Sequence, residues 1–222
     1  MNIRRIGIIF HGIGTPERTL EPGEEPYWIS IERFESMLDV IAEDPERYRI
    51  TFDDGNFSDH AIALPRLLAR ELQAEFFVLT GRINQPGSLG SREITELLAA
   101  GMGIGSHGVA HRDWRRLDKN ALRVELEESK IVLEELCGEL ITKAGIPFGG
   151  WNASVLKALR QAGYESAWSS DGGCMRSDAF LRPRRSVRGD MDEKALEDLL
   201  SGRMSSVRRL RRGLRMALRR LI

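Results

Sequence analysis

Cysteine and long apolar runs are scarce in this chain of 222 residues, and each shortage excludes a class of protein. The two cysteines, Cys137 and Cys174, fit neither a disulfide framework nor the spacing of a zinc site. No segment reaches the roughly 20 apolar residues that a membrane-spanning helix needs. No apolar stretch of signal-peptide length follows the first residues either. We therefore expect a cytoplasmic protein.

A net charge is also missing, because 33 Lys and Arg residues balance 33 Asp and Glu residues. The chain as a whole therefore has no net electrostatic attraction to nucleic acid or to an anionic membrane. Residues 202–222 are the exception, since they contain eight arginines and no acidic residue. Residues 1–201 consequently carry the compensating net charge of −8.

Short apolar runs alternate with amphipathic segments along residues 1–201. Ile6–Phe10 is a continuous apolar run of strand length, and similar runs recur further along the chain. Ser30 and Asn152 are placed to cap the starts of helices, and Gly138 is placed to end one. This alternation predicts one α/β domain with mostly parallel strand pairing.

Two adjacent carboxylates, Asp53 and Asp54, follow one of these runs and precede Gly55, which frees the backbone to turn. That placement predicts the carboxyl end of a strand, where βα proteins collect their catalytic groups. His107 and His111 lie four residues apart, and two imidazoles with a carboxylate can bind a divalent metal. Each motif alone is also typical of structure: Asp-Asp-Gly is a common turn, and paired histidines can simply share a face.

The two motifs and a third segment together resemble a known family. Thr51–Gly55, Ser106–His111 and Ile146–Gly149, in this order, resemble the first three motifs of the polysaccharide deacetylase (NodB-homology) family of carbohydrate esterases. The resemblance extends over about residues 5–185. It implies a distorted (β/α) barrel of about seven mostly parallel strands over residues 1–201, which the basic segment follows as a helix.

The resemblance also implies roles for five residues. Asp54, His107 and His111 would hold a divalent metal, for which Zn²⁺ is the best fit because it accepts imidazole and carboxylate ligands. Asp53 would be the general base that takes a proton from the attacking water. The backbone N–H of Phe148 would help to hold the oxyanion of the tetrahedral intermediate.

The sequence departs from the family pattern at two places. Where the family often has an arginine that braces the base, this chain has Gly145, and Arg182 and Arg185 are candidates for that role. The late histidine that protonates the leaving amine is missing, since no histidine follows His111. We predict that His11, at the end of the first strand, lines the site and assists the leaving group.

Two residues next to the third motif are predicted to bind substrate. Pro147 belongs to the motif, and Trp151 follows it directly and could stack on a sugar face. Buried tryptophans are more often part of a core, which is the alternative for Trp151 and for Trp114 and Trp168.

The segment of residues 202–222 predicts a basic amphipathic helix, with leucines on one face and arginines on the others. Three partners are open: an anionic membrane surface, an acidic protein surface, and nucleic acid. Nucleic acid is the least favoured, because the segment has no aromatic residues between its arginines. Contact with a membrane would make the protein peripheral to it.

These observations favour a metal-dependent hydrolase that removes N-acetyl groups from a sugar or glycan precursor. An alternative is an O-acetyl esterase or a non-peptide amide hydrolase on the same scaffold, because an ester needs less help from a general acid. A second alternative is a glycan-binding protein with impaired catalysis. Retention of Asp53, Asp54, His107 and His111 counts against it, since binding alone does not need all four.

Overall fold

The structure of the chain, a computed structural model, describes residues 4–221, without the side chains of Arg4, Arg208, Arg220 and Leu221. Ile222, which ends the predicted basic helix, lies outside the described residues. The strands are β1 (Arg4–Phe10), β2 (Gly12–Ile13), β3 (Trp28–Ile29), β4 (Tyr48–Asp54), β5 (Ala74–Val78), β6 (Gly103–Ser106), β7 (Lys143–Gly145), β8 (Ser166–Ser169), β9 (Cys174–Arg176), β10 (Leu181–Pro183) and β11 (Arg185–Ser186). The α-helices are α1 (Ile31–Ala42), α2 (Leu64–Leu68), α3 (Ser91–Ala99), α4 (Lys119–Cys137), α5 (Ala153–Gln161), α6 (Glu193–Leu200) and α7 (Ser206–Leu221).

Eight of these strands form a path that nearly closes into a barrel. They pair in the order β10-β8-β7-β6-β5-β4-β1-β11, and each pairing along the path is parallel. Only β9, which lies off the path, adds an antiparallel pairing to β1 among the described residues of this sheet. The predicted barrel of mostly parallel strands is therefore confirmed.

A single residue separates the two strands that close the barrel. β10 pairs with β8 on one side, and β11 pairs with β1 on the other. Arg184 lies between them, so the chain changes partner within one residue, and the Arg184 side chain is 0% exposed. Because this closing segment is split, the barrel has eight strands where about seven were predicted.

Alternating side chains along the strands fill two separate cores. Ile50 and Phe52 of β4 belong to the main core, which lies between the barrel and its helices. Phe77, Trp168 and Met175 form a smaller cluster on the opposite strand face, which is the barrel interior. These three side chains fill part of the barrel interior.

Local sequence signals position the helices where they were expected. The Ser30 side chain accepts a hydrogen bond from the Arg33 N–H at 3.2 Å and starts α1. The Asn152 side chain accepts one from the Val155 N–H at 2.9 Å and starts α5. Gly138 ends α4 in the left-handed conformation, with φ 68°, which costs glycine little.

The basic segment forms α7, which packs against α5 at the outside of the barrel. The division of the chain at residue 201 stays a prediction. Between residues 4 and 221, no helix combines the length and the apolar character that crossing a membrane requires.

Candidate active site

The carboxyl ends of the parallel strands bring the predicted site residues together. β1 leads into His11, β4 ends with Asp53 and Asp54, and β6 leads into the loop that carries His107 and His111. Parallel strands place their carboxyl ends at the same edge of a sheet. All five side chains accordingly line one cavity of about 270 Å³.

Three residues of this cavity hold a left-handed backbone conformation that non-glycine residues rarely adopt. They are Asp54 (φ 80°), His111 (φ 50°) and Phe148 (φ 56°). Alternation along an extended strand would send Asp53 and Asp54 to opposite faces. The turn at Asp54 instead brings both carboxylates to one cavity. Backbone strain of this kind costs about 1–3 kcal/mol per residue and clusters at functional sites.

Asp54, His107 and His111 form a cluster that could hold a metal ion. One ligand atom from each lies within 4.8 Å of the others. The Nε2 atoms of His107 and His111 lie 3.4 and 3.5 Å from Oδ1 of Asp54. Each Nδ1 atom is occupied elsewhere, in His107 by the carbonyl of Gly145 at 2.9 Å and in His111 by Oε2 of Glu21 at 2.7 Å. An Nδ1–H that donates to these oxygens leaves both Nε2 lone pairs directed toward Asp54.

The protonation states of His107 and Asp54 also suit metal binding. Burial lowers the pKa of His107 to about 4, despite the opposing charges of Asp53 and Asp54, so its imidazole is neutral. Burial raises the pKa of Asp54, but its interactions with His11, His111 and His107 outweigh burial and hold that pKa below its usual range. Oδ1 of Asp54 is buried and has no hydrogen-bond partner among the described residues. An ionised oxygen without a partner, beside the Nε2 atoms of two imidazoles, fits a divalent cation.

Asp53 is held by Arg184 in a buried two-point contact. Nη1 of Arg184 donates to Oδ1 of Asp53 at 2.6 Å, and Nη2 donates to Oδ2 at 3.0 Å. Nη1 also donates to Oγ1 of Thr51 at 2.8 Å, and the guanidinium lies 5.0 Å from the ring centre of Phe77. Burial raises the pKa of Asp53, but the charge and the hydrogen bonds of Arg184 lower it below its usual range.

Phe148 and His11 complete the cavity. Phe148 is 61% exposed, and its ring stacks on that of His111 with 4.4 Å between the ring centres. The ring of His11 packs at a tilt against that of Tyr27, with 4.8 Å between the ring centres, and its buried Nδ1 has no hydrogen-bond partner within residues 4–221. His11 is therefore available for contact with a molecule in the cavity.

Sequence comparison identifies the scaffold on which this site is built. The sequence model of the polysaccharide deacetylase family matches residues 42–167, which is more than half of the chain. The chain belongs to the polysaccharide deacetylase family.

Relatives and a solved structure agree with this assignment. YxkH of Bacillus subtilis (strain 168) is 26% identical over 139 residues, which cover 63% of this chain and 50% of YxkH. A chitooligosaccharide deacetylase of Rhizobium leguminosarum bv. trifolii is 28% identical over 140 residues, which cover 62% of this chain and 63% of that protein. The chain thus spans less than two thirds of either relative. The Streptococcus pyogenes deacetylase PplD, solved in complex with acetate, shares the fold, with a TM-score of 0.76 at 18% identity over 92% of this chain and 100% of PplD.

The arginine that holds Asp53 lies outside the part of the chain that the polysaccharide deacetylase model matches, and sequence reasoning missed it. Of the two arginines that we named for this role, Arg182 donates to the carbonyls of Ala179 and Ser177, and Arg185 donates to other backbone carbonyls. The proposal of Arg182 or Arg185 is therefore corrected to Arg184. The spacing of two residues from Arg182 was the available signal, because alternation along an extended segment places residues 182 and 184 on one face.

Packing explains why this family member has glycine at the usual arginine position. A Cβ atom on Gly145 would lie 2.8 Å from Cγ of Phe77 and 3.0 Å from Nδ1 of His107. Any side chain there would crowd the hydrogen bond between His107 and the Gly145 carbonyl. Arg184 reaches Asp53 from the closing segment and leaves that bond intact.

The two predicted substrate-binding residues do not line the cavity. Trp151 is 0% exposed, and its indole N–H donates to Oδ2 of Asp171 at 2.6 Å. Pro147 is also buried, while its neighbours Ile146 and Phe148 line the cavity. The prediction for Trp151 is corrected to a core residue, because its ring packs in the main core. Pro147 is likewise not a cavity-lining residue, and its prediction is corrected to a buried residue of the loop that presents Ile146 and Phe148.

Proposed function

We propose that this chain is a metal-dependent hydrolase that removes N-acetyl groups from a sugar or a glycan precursor. The observation that carries the proposal is the pairing of two different carboxylates at one cavity. Asp54 shares a donor set with His107 and His111, while Asp53 is held ionised beside it by Arg184. The name of the Rhizobium relative, a chitooligosaccharide deacetylase, supports an N-acetylated sugar as the class of substrate.

Asp54, His107 and His111 are the residues that would hold the metal, and Zn²⁺ suits this combination of one carboxylate and two imidazoles. Such an ion polarises an amide carbonyl and acidifies water when it is bound. The neutral state of His107 and the buried, unpaired oxygen of Asp54 support this assignment.

Asp53 acts as the general base. Its lowered pKa keeps it ionised, so it can accept a proton from the attacking water. Arg184 occupies one lone pair on each oxygen of Asp53 and fixes the direction of the carboxylate. Arg184 therefore positions the base and does not itself contact the substrate.

Phe148 and His11 act on the oxyanion and on the leaving amine of the reaction. The backbone N–H of Phe148 donates to the oxyanion, and the left-handed conformation of Phe148 sets the direction of that N–H. His11 lines the cavity and gives a proton to the departing amine. This role for His11 replaces that of the family's late histidine, which the sequence lacks.

The missing late histidine also favours a second candidate, an O-acetyl esterase. No histidine follows His111, so His11 is the only histidine at the cavity besides the proposed ligands, among the residues described. An alkoxide leaves with less help from an acid than an amine does. The same machinery would then cleave an ester in place of an amide.

The test is to measure metal content and acetate release for the wild type and Asp53→Asn. The substrates are a panel of N-acetylated sugars and one O-acetylated sugar. Wild type should bind a divalent metal and release acetate, and a chelator should abolish the release. Asp53→Asn should lose about 10²–10⁴-fold in rate while it keeps its metal, because general-base catalysis has this magnitude. Asp39→Asn, at an exposed carboxylate of α1, is the control.

Three results decide between the candidates. Faster release from amides supports the deacetylase, and faster release from the ester supports the esterase. His11→Asn should slow the amide more than the ester, because only the amine leaving group requires a proton. A protein that binds no metal under metal-replete conditions contradicts the proposal and favours a glycan-binding role.

A further inference from the structure

Helix α7 turns its apolar side toward solvent. Val207, Leu210, Leu214 and Leu218 follow one another at spacings of three and four residues, so they form one stripe along the helix. Their exposed fractions are 60%, 66%, 59% and 59%. Amphipathic helices of soluble domains normally bury such a stripe against the core. Here the stripe is the surface.

The opposite side of α7 is the side that docks on the barrel. Arg219 donates to Oδ1 of Asp171 at 2.8 Å and to the carbonyl of Gly149 at 3.3 Å. Met216 packs against the main core, and the guanidinium of Arg212 lies over Gly173. Arg212, Met216 and Arg219 recur at spacings of four and three and define the docked face.

These contacts fix the rotation of α7 about its own axis. The side chain of Asp171 is 3% exposed and also accepts the indole N–H of Trp151, so its ion pair with Arg219 is anchored in the core. A rotation that buried the leucine stripe would break this ion pair and expose Met216. The exposure of the stripe is therefore part of how α7 is attached.

We propose that the outward face of α7 binds the surface of an anionic lipid bilayer. A stripe of leucines can enter the boundary between head groups and acyl chains, where a helix lies in the plane of the membrane. Arg211 and Arg215 are exposed on this helix beside the stripe, and arginine side chains extend along apolar surface to reach phosphate groups. The segment contains no acidic residue to oppose them.

The charge and the apolar residues of α7 favour a bilayer over a second copy of the chain and over nucleic acid. Two copies that paired through this stripe would bring together the arginines of both helices, and like charges repel. Nucleic acid binding would leave the leucines in water, and residues 202–222 offer no aromatic residue for stacking on bases. A bilayer with anionic lipids is complementary to both features, because it takes up apolar side chains and attracts arginine.

The helix is also attached next to the cavity. The carbonyl that accepts from Arg219 belongs to Gly149, which lines the cavity with Phe148 and Ser170. A membrane bound at α7 would therefore hold the protein by an element that contacts the rim of the site. Membrane binding does not depend on the proposed hydrolysis, and it can be measured without a substrate.

The experiment is co-sedimentation of the full chain with two kinds of vesicle. One is made of phosphatidylcholine alone, and the other of phosphatidylcholine and phosphatidylglycerol in equal parts. Wild type should sediment with the anionic vesicles and remain in solution with the neutral ones. The variant Leu210→Glu/Leu214→Glu should bind at least about tenfold more weakly, because it removes apolar surface and adds negative charge.

Two further variants separate the contributions. Arg211→Gln/Arg215→Gln should lose about fivefold in affinity for each arginine, and the loss should shrink at high salt. Leu140→Glu is the matched control, since Leu140 is 76% exposed in the loop that follows α4. It should bind like the wild type. Circular dichroism of each variant checks that α7 and the barrel remain folded.

Several results would overturn the proposal. One is wild type that stays in solution with anionic vesicles, and another is equal binding to neutral vesicles. A dimer on gel filtration that Leu210→Glu/Leu214→Glu dissociates would assign the stripe to a second copy. Binding to duplex DNA without binding to vesicles would assign the arginines to nucleic acid.

Discussion

Two neighbouring carboxylates line the same cavity but differ in their hydrogen-bond partners. Asp53 and Asp54 are consecutive, both are buried, and both have a lowered pKa. Both oxygens of Asp53 accept from Arg184, so its charge is balanced within the chain. Asp54 faces the lone pairs of two imidazoles, and its Oδ1 has no hydrogen-bond partner among the described residues. The charge of Asp53 is thus compensated by Arg184, whereas Asp54 and the two imidazoles leave room for a cation among them.

This difference shows that two consecutive carboxylates can have different electrostatic surroundings within one short sequence. A buried ion pair gains little net stability, because desolvation of its charges offsets their attraction. Its value lies in fixing the orientation of Asp53. The cluster at Asp54 is oriented by bonds behind the imidazoles, which leave its inner face open. The following variants test whether the two carboxylates are independent.

Arg184→Met removes the balancing charge of Asp53 and should have the largest effect. Loss of one partner from a buried ion pair costs about 3–5 kcal/mol, because the other charge stays buried without compensation. Urea unfolding should show this loss, and Arg182→Met, on the same face of the extended segment but half-buried, should change stability by less than about 1 kcal/mol. The double variant Asp53→Asn/Arg184→Met should regain part of the loss, since it leaves no isolated charge.

The pH dependence of this loss follows from the lowered pKa of Asp53. A lowered folded pKa contributes stability above the unfolded value of about 3.9, and that stability disappears as pH falls through the folded pKa. In Arg184→Met the burial of Asp53 is unopposed by the arginine, so acid should relieve the unpaired charge. The gap in stability between wild type and Arg184→Met should be largest near pH 7 and smaller near pH 3. A gap that is independent of pH would contradict the ion pair as its cause.

Asp54→Asn should weaken metal binding at the cluster of Asp54, His107 and His111 without unfolding the protein. A site whose binding free energy is about 10–16 kcal/mol, shared by about four ligands, gives roughly 3 kcal/mol to each. Zinc affinity, measured by competition with a chromophoric chelator, should therefore fall by about a hundredfold or more. Asp39→Asn should keep the wild-type affinity. Unchanged zinc affinity in Asp54→Asn would show that the metal, if it binds, binds elsewhere.

Glu21→Gln should have the smallest effect, because Glu21 acts through His111. Its carboxylate accepts from Nδ1 of His111 at 2.7 Å, and such supporting partners typically contribute about 10–100-fold to metal affinity. Gln keeps the size of the side chain but not the charge, so a loss near tenfold is expected in the same chelator competition. Glu25→Gln, at an exposed glutamate of the same loop, is the control. A loss in both variants would point to the net charge of the loop as the cause.

The elements that local signals define were predictable from the sequence. Ser30 and Asn152 cap their helices as expected, because a capping side chain needs only the next three residues. The convergence of Asp53, Asp54, His107 and His111 was also predictable, because parallel strands share one end. What failed was the assignment of partners that lie far apart in sequence. Arg184 and Asp53 are separated by 131 residues, and Trp151 was assigned to a sugar although it packs against Asp171.

The sequence by itself determined the family, the alternation of strands and helices, and the carboxylates and histidines that meet at one cavity. It did so because periodicity, caps and short motifs are local properties of the chain. Only the tertiary structure decided that the closing segment changes strand partner at Arg184, and that this arginine reaches Asp53. Only it decided that the leucines of α7 face solvent while Arg219 faces Asp171. An amphipathic pattern defines two sides of a helix, but the packing of the rest of the chain selects the side that is buried.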